Sequence, residues 1–224
     1  MIVSRVIGVV VALLVGTVLV GGPAESAPNA CAVGNPLQPT AELFATDNTA
    51  TITDPDDQRL RNGLAAFELQ VDGIALGNVG LPVGSTLVSG VFWSDERQQA
   101  TYERSREFHL ACVDAVDLHR IGDQVRTRFG QESVLTFRYL PNTASEVDAF
   151  TVEVAGVDVR RFRDALVADR EAREHLVGGS VTESGSLILV ADLADFTLTQ
   201  RFVTSIGGTW NPDTVHYGDR EFVG

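Results

Sequence analysis

The sequence contains no lysine: all 17 of its basic residues are arginine, against 30 acidic residues in a chain of 224. Without lysine the protein cannot form a lysine Schiff base, and it lacks the lysine of a phosphate-binding P-loop. The net charge of −13 excludes a typical nucleic-acid-binding protein, which needs a basic face to displace phosphate counterions. The charge therefore favours proteins or small molecules over nucleic acid as partners.

Recognisable catalytic motifs are absent as well. The sequence has no G-x-S-x-G nucleophile elbow, no G-x-G-x-x-G dinucleotide loop and no H-E-x-x-H zinc motif. None of its four histidines has a second histidine at the i,i+4 spacing of a helical zinc site. We therefore predict no cofactor and no bound metal, and these absences favour a protein that is not an enzyme.

The N-terminus has the composition of a secretory signal peptide. Arg5 precedes an uncharged apolar run from Val6 to Val20, and small residues follow a Gly-Gly-Pro break. We predict a signal peptide over residues 1–26, so that the mature protein is secreted or belongs to the cell envelope. The alternative is an uncleaved single-pass membrane anchor, because a run extended to Ala24 is long enough to span a bilayer.

The chain has only two cysteines, Cys31 and Cys112. In an oxidising compartment this even count predicts one disulfide. It would close a loop of roughly 80 residues and stabilise the fold by on the order of 4 kcal/mol in the chain-entropy model. The alternative is two unrelated thiols.

Hydrophobic periodicity predicts an α+β fold. Residues 27–40 hold three prolines and are typical of an extended leader. Residues 41–141 then follow the order β-α-β-β-α-β, which predicts a ferredoxin-like unit with an open antiparallel sheet and both helices on one face. Residues 146–224 predict a partial second unit of order β-α-β-β with a closing strand, packed as one domain with the first or separately.

Three local patterns carry most of this prediction. The acidic stretch Thr53–Asp57 lacks the glycine and glutamate of a calcium loop, so it predicts a helix start, with Asp54 as N-cap and Pro55 in the first turn. Residues 101–112 alternate with period two and predict a hairpin that turns near residues 95–99. Residues 186–206 predict two strands with a tight connection.

The same alternation yields the first candidate site. Glu107 and His109 share one face of the hairpin strand with Glu103 and Ser105, and this face looks to solvent or to the second unit. A histidine beside carboxylates can bind a cation or exchange protons, whereas ion pairing with nearby arginines is the structural alternative. His109 with Glu107 is therefore a weak catalytic candidate.

His216 with Asp219, near the C-terminus, is a second weak catalytic pair. Either pair would serve a small hydrolase or lyase, which is the alternative prediction for the protein.

The leading prediction is an exported binding or interaction module whose partner is a protein of the cell envelope or extracellular space, or a small molecule. Its candidate binding residues are an arginine-rich strand face and an aromatic C-terminal loop: Tyr102, Arg104, Arg106, Trp210 and Tyr217. A solvated, salt-bridged surface is the alternative for the arginines, and a plug at the open end of the sheet is the alternative for the aromatic loop.

Overall fold

The computed structural model describes residues 37–224. The predicted signal peptide or anchor, most of the leader and Cys31 lie outside the described residues, so the disulfide to Cys112 stays a prediction. The described chain forms eight strands and five helices: β1 (Ala41–Ala45), α1 (Ala65–Gly77), β2 (Leu81–Ser94), β3 (Gln99–Ala111), α2 (Ala115–Phe129), β4 (Val134–Tyr139), β5 (Ala149–Ala155), α3 (Val159–Ala168), α4 (Arg170–His175), β6 (Gly178–Thr182), β7 (Ser186–Asp192), α5 (Phe196–Ser205) and β8 (Val215–Val223). Among residues 37–224, no helix is long and apolar enough to cross a membrane.

The eight strands form one closed antiparallel barrel in the order β1-β3-β2-β6-β7-β5-β8-β4. The predicted open, ferredoxin-like sheet is therefore wrong. β2 pairs with β6 and β4 pairs with β8, so the two strand edges that an open sheet would expose are hydrogen-bonded to the second half of the chain. Closure removes exposed edges, which otherwise recruit other chains.

The two halves of the barrel repeat one strand order. The first half runs β4-β1-β3-β2 across the sheet, and the second runs β8-β5-β7-β6. The second half differs from its prediction at Phe196–Ser205, which is helix α5 and not a strand. Its threonines favour a strand locally, but Leu198, Phe202 and Val203 lie on one helical face and are buried, and this burial decides the outcome.

The helices cover the outside of the barrel in two groups. α1 and α2 pack on the first half around a core that includes Phe67, Phe108 and Ile121. α3 and α5 pack over the second half and the adjoining parts of β2 and β3, where Phe162 and Phe202 belong to a separate core. Because one set of side chains on each strand packs into these outer cores, the alternate set faces the barrel interior.

Helix α2 follows its prediction closely. Asp114 caps it by accepting a hydrogen bond from the backbone N–H of Asp117 at 2.9 Å. Gly130 ends it with a left-handed φ of 65°, as a C-terminal glycine should.

The acidic stretch, in contrast, does not begin a long helix. Asp54 accepts a hydrogen bond from the backbone N–H of Asp56 at 2.9 Å, and Asp57 caps a short 3-10 helix, Gln58–Arg61. The extended backbone of Asn62 and the left-handed backbone of Leu64 then interrupt the chain, so α1 begins only at Ala65.

Candidate functional site

The inner face of β3 carries the polar side chains that the alternation predicts. The predicted hairpin is present, with its turn between β2 and β3 at residues 95–98. Phe108 and Leu110 are buried beneath the outer helices, whereas Glu107 and His109 lie on the opposite face. Because the barrel is closed, this face looks inward to the second half of the chain.

Two further residues join this face from neighbouring strands. Glu42 on β1 lies directly opposite His109 on β3 and Phe137 on β4, so these side chains share the inner side. Tyr139, two residues after Phe137, donates its hydroxyl hydrogen bond to Glu42 Oε1. Glu42, Glu107, His109 and Tyr139 form what we call the inner polar cluster.

The histidine of the inner polar cluster sits between its two carboxylates without a hydrogen bond to either. His109 Nδ1 lies 3.9 Å from Glu42 Oε1, and His109 Nε2 lies 3.9 Å from Glu107 Oε2. Nε2 also lies 3.3 Å from Thr86 Oγ1, within hydrogen-bond range. The imidazole is therefore held by Thr86 and faces two acidic groups across a gap.

Burial dominates the electrostatics of this cluster. Desolvation raises the pKa of Glu42 to about 7, although the hydrogen bond from Tyr139 opposes the shift. Desolvation, together with the charges of Glu42 and Glu153, raises the pKa of Glu107 to about 9. Burial lowers the pKa of His109 and is the main cause that raises the pKa of Tyr139. Two carboxyl groups and a neutral imidazole are thus collected where ionisation is costly.

Arginine does not neutralise the cluster. Within residues 37–224, the only basic side chain within 4.0 Å of Glu42 or Glu107 is His109. Such an arrangement either retains protons or binds a cation, and Glu42, Glu107 and His109 are the residues that could hold a metal ion. With protons instead, the same groups could act as acid and base.

A cavity of about 320 Å³ lies inside the barrel, next to this cluster along β3. Seven of the eight strands contribute to its lining, which only an interior cavity can achieve. Eight of the fourteen lining residues that are not glycine have apolar side chains: Phe44, Phe92, Leu135, Leu176, Val177, Ile188, Val190 and Phe222. Glycine makes room for one of them, because a Cβ on Gly178 would lie 2.6 Å from the carbonyl oxygen of Val91 and against the ring of Phe92.

A few polar groups reach the same cavity. Burial raises the pKa of Glu103, while the hydrogen bond from Ser105 opposes the shift. Gln131 accepts a hydrogen bond from Thr46 N–H at 3.2 Å through Oε1, but no described residue bonds to its buried Nε2. Arg220 also lines the cavity and pairs with Asp192 at 2.7 Å. The cavity is therefore mainly apolar, with a hydrogen-bond donor to spare.

The predicted binding residues of β3 lie on its outer face and are engaged within the fold. Arg104 is buried and donates to Ser89 Oγ at 2.9 Å and to Glu183 at 2.7 Å. Arg106 donates to Ser85 Oγ at 2.6 Å. Tyr102 is a buried member of the core of the second half. These three side chains do not form a common solvent-facing surface.

The C-terminal candidates do not form a single site either. Trp210 and Tyr217 both pack on Phe196 of α5, with ring centroids 5.3 and 6.5 Å from it, and so cover a core. Asp219 is bound by Arg138, Nε to Oδ1 at 3.1 Å, on the opposite face from His216. The predicted His216–Asp219 pair is therefore not assembled.

His216 instead approaches the inner polar cluster. Its ring packs edge-on against Tyr139 at 5.5 Å, and both residues line an open groove of about 570 Å³. Sequence reasoning singled out His109, Glu107 and His216 but missed Glu42 and Tyr139. The available signal for Glu42 was a lone acid between the buried residues Ala41 and Leu43 of a short apolar strand.

Comparison with known proteins adds no assignment to this geometry. No protein-family model matches the chain, and no curated protein matches it. A solved structure of an anthrone oxidase-like protein was matched over 82% of this chain and 93% of that chain, at 11% sequence identity and a TM-score of 0.25. A similarity at that TM-score carries no argument about this chain.

Proposed function

We propose that this protein is an exported binding protein that takes a small, mainly apolar molecule into its barrel. The observation that carries the proposal is the cavity of about 320 Å³ lined by seven strands. This volume lies at the lower end of the roughly 300–1,000 Å³ of small-molecule pockets. Moving apolar ligand surface from water into it would gain roughly 25 cal/mol per Å². Export depends on the N-terminal apolar run, and the intact mass of the chain purified from its host tests it.

The edge of the cavity exposes apolar residues to which an apolar ligand can bind. Val177 and Phe222 both line the cavity, yet their side chains are 54% and 59% exposed. Exposed apolar side chains that adjoin a cavity mark a surface on which an apolar molecule can first bind. The same two residues would be covered once the ligand entered.

The polar groups narrow the class of ligand. The unpartnered Gln131 Nε2 can donate a hydrogen bond, and the raised pKa of Glu103 favours its neutral form, which can donate another. An uncharged molecule with an apolar body and a carbonyl or ether oxygen satisfies these donors. The net charge of −13 disfavours an anionic ligand.

Probe fluorescence tests the proposal. The uncharged dye N-phenyl-1-naphthylamine should bind the purified chain saturably and with increased emission. Val190→Trp, which fills the cavity, should abolish this binding, whereas Val116→Trp on the exposed face of α2 should not. The absence of saturable binding to the unmodified chain, or equal binding by Val190→Trp, would overturn the proposal.

A second candidate function is hydrolysis or elimination at the inner polar cluster. The observation in its favour is that His109 and Glu107 lie together with Glu42 and Tyr139 beside a groove. A panel of small esters, amides and β-hydroxy compounds tests it. The second function is supported if turnover is lost in His109→Ala and retained in His119→Ala, because His119 lies on the surface. The absence of turnover by the unmodified chain would exclude the tested reactions.

A further inference from the structure

The distances inside the inner polar cluster are those of groups that share a third partner. Glu42, Glu107 and His109 each bring one nitrogen or oxygen atom within 4.8 Å of the others. Both carboxylate-to-imidazole distances are 3.9 Å, well beyond the roughly 2.7–3.2 Å of a hydrogen bond. Two ligands of one metal ion lie about 3–4 Å apart when each is about 2.1 Å from the metal. The carboxylates are therefore too far from the imidazole for direct hydrogen bonds, while one ligand atom of each of the three residues lies close enough to the others for a single ion to be shared.

An unsatisfied atom at the same place also indicates a missing partner. Glu42 is only 4% exposed, and its buried Oε2 atom has no hydrogen-bond partner among residues 37–224. Glu107 is 3% exposed, and within the described chain neither carboxylate has an arginine in ion-pair range. A buried oxygen left without a partner is costly, and a second acidic group beside it increases the cost. A bound cation would relieve both.

We propose that Glu42, Glu107 and His109 bind one divalent transition metal ion. Two carboxylate oxygens and one imidazole nitrogen suit Zn²⁺, Mn²⁺ or Fe²⁺ better than Mg²⁺ or Ca²⁺, which take oxygen ligands. Three protein ligands leave at least one coordination position open for water or another small ligand. This site is distinct from the apolar cavity and does not depend on the binding proposed there.

Hydrogen bonds around the cluster leave one atom of each residue free for the metal. Tyr139 donates to Glu42 Oε1, so Oε2 remains available. Thr86 Oγ1, at 3.3 Å, can accept from His109 Nε2–H, which leaves Nδ1 as the ligand atom. Metal-binding histidines usually donate their other ring N–H in this way. Tyr139, the hydrogen-bond partner of Glu42, also lines an open groove together with His216.

The rival arrangement fills the gap with protons. One or both carboxyl groups would stay neutral, as burial favours, and the cluster would need no metal. The two arrangements can be distinguished, because only the metal site binds one Zn²⁺ per chain, and only that binding depends on His109.

The test uses the untagged mature chain, freed of metal with EDTA and then dialysed. Isothermal titration with Zn²⁺ should give one site per chain, and Co²⁺ should give the visible absorption of a low-symmetry, nitrogen- and oxygen-ligated ion. Losing an outer hydrogen-bond partner of a metal ligand costs roughly 10–100-fold in affinity. We therefore expect a loss in that range for Tyr139→Phe and a larger one for His109→Ala and Glu107→Gln. His119→Ala, which removes a surface histidine away from the cluster, should bind as the unmodified chain does.

Circular dichroism shows whether each variant is folded. If His109→Ala does not fold, the near-isosteric variants Glu107→Gln and Tyr139→Phe still test the proposal. No Zn²⁺ binding by the unmodified chain would overturn the proposal and leave the protonated arrangement. Binding that survives both His109→Ala and Glu107→Gln would overturn it equally, because the ion would then lie elsewhere.

Discussion

Replacing Glu107 by glutamine should flatten the pH dependence of stability of the metal-free protein. Burial, reinforced by the charge of Glu42, raises the pKa of Glu107 from 4.5 to about 9 in the folded protein. Between these two values the folded chain holds a proton that the unfolded chain has released. The stabilisation is therefore complete below pH 4.5 and is lost as the pH rises to about 9.

The expected size follows from the number of protons involved. Each proton held only by the folded state changes the unfolding free energy by about 1.4 kcal/mol per pH unit. The pKa of Glu42 rises only to about 7, so its share is lost mostly below that pH. The interval from pH 7 to pH 9 therefore isolates Glu107, whose proton accounts for a fall of about 2 kcal/mol there. That is a large part of the roughly 5–15 kcal/mol that stabilises a typical domain.

Urea denaturation in EDTA at pH 6, 7, 8 and 9 measures this fall. Glu107→Gln should lose most of the decline between pH 7 and pH 9 while retaining the part below pH 7 that Glu42 causes. Glu96→Gln, at an exposed position in the turn between β2 and β3, is the matched control and should follow the unmodified chain. If Glu107→Gln declines as steeply as the control above pH 7, Glu107 does not hold the proton and the electrostatic reasoning fails.

Two further substitutions test the structure around the site. Arg104→Ala should lower the unfolding free energy by about 1–3 kcal/mol, because Ser89 Oγ loses its buried donor and the ion pair with Glu183 is lost. Guanidinium denaturation measures this loss, and an unchanged midpoint would mean that the arginine is not structural. Gly178→Ala should cost about 1–3 kcal/mol through its clash with Phe92 and should also weaken dye binding in the cavity. Thermal denaturation and dye titration of that variant check both effects, and unchanged binding would show that the strand wall can yield.

The polar face of β3 was predictable because alternation is a local property. Side chains of a strand point to opposite sides whatever the strand pairs with, so Phe108 and Leu110 on one side implied Glu107 and His109 on the other. The residues that this face contacts are not determined by the local sequence. They depend on strands of the second half, and the partner Glu42 lies 65 residues before Glu107 in the sequence.

Closure of the barrel was harder to predict, although β2 carries a signal for it. Leu81–Ser94 contains no charged residue, and β6, Gly178–Thr182, contains none either. A strand that stays at the edge of a sheet usually carries charge or proline to block further pairing. The proline of β2, Pro82, lies outside Val88–Phe92, so this uncharged stretch and β6 are candidates to pair with one another, and in this protein they do.

The buried arginines show where residue type misleads. Arginine is exposed in most proteins, so the arginines of β3 were predicted to form a surface. Arg104 instead lies over the sheet and donates to the carbonyl oxygen of Asn62 at 3.1 Å and to Ser89. Its long apolar stem and five donors let it cross from strand to loop, which no spacing rule reveals.

The repeated strand order has a consequence for the kinetics of folding. Within each half, neighbouring strands include a hairpin, β2–β3 or β6–β7, that forms from nearby residues. The two junctions between the halves join distant ones, such as Val88 with Thr182 and Val134 with Val223. Loop closure of this length is slow, so we expect each half to collapse first and the junctions to form last. Until then the uncharged edges of β2 and β6 stay open to other chains, and chain concentration during refolding should decide between a closed barrel and an aggregate.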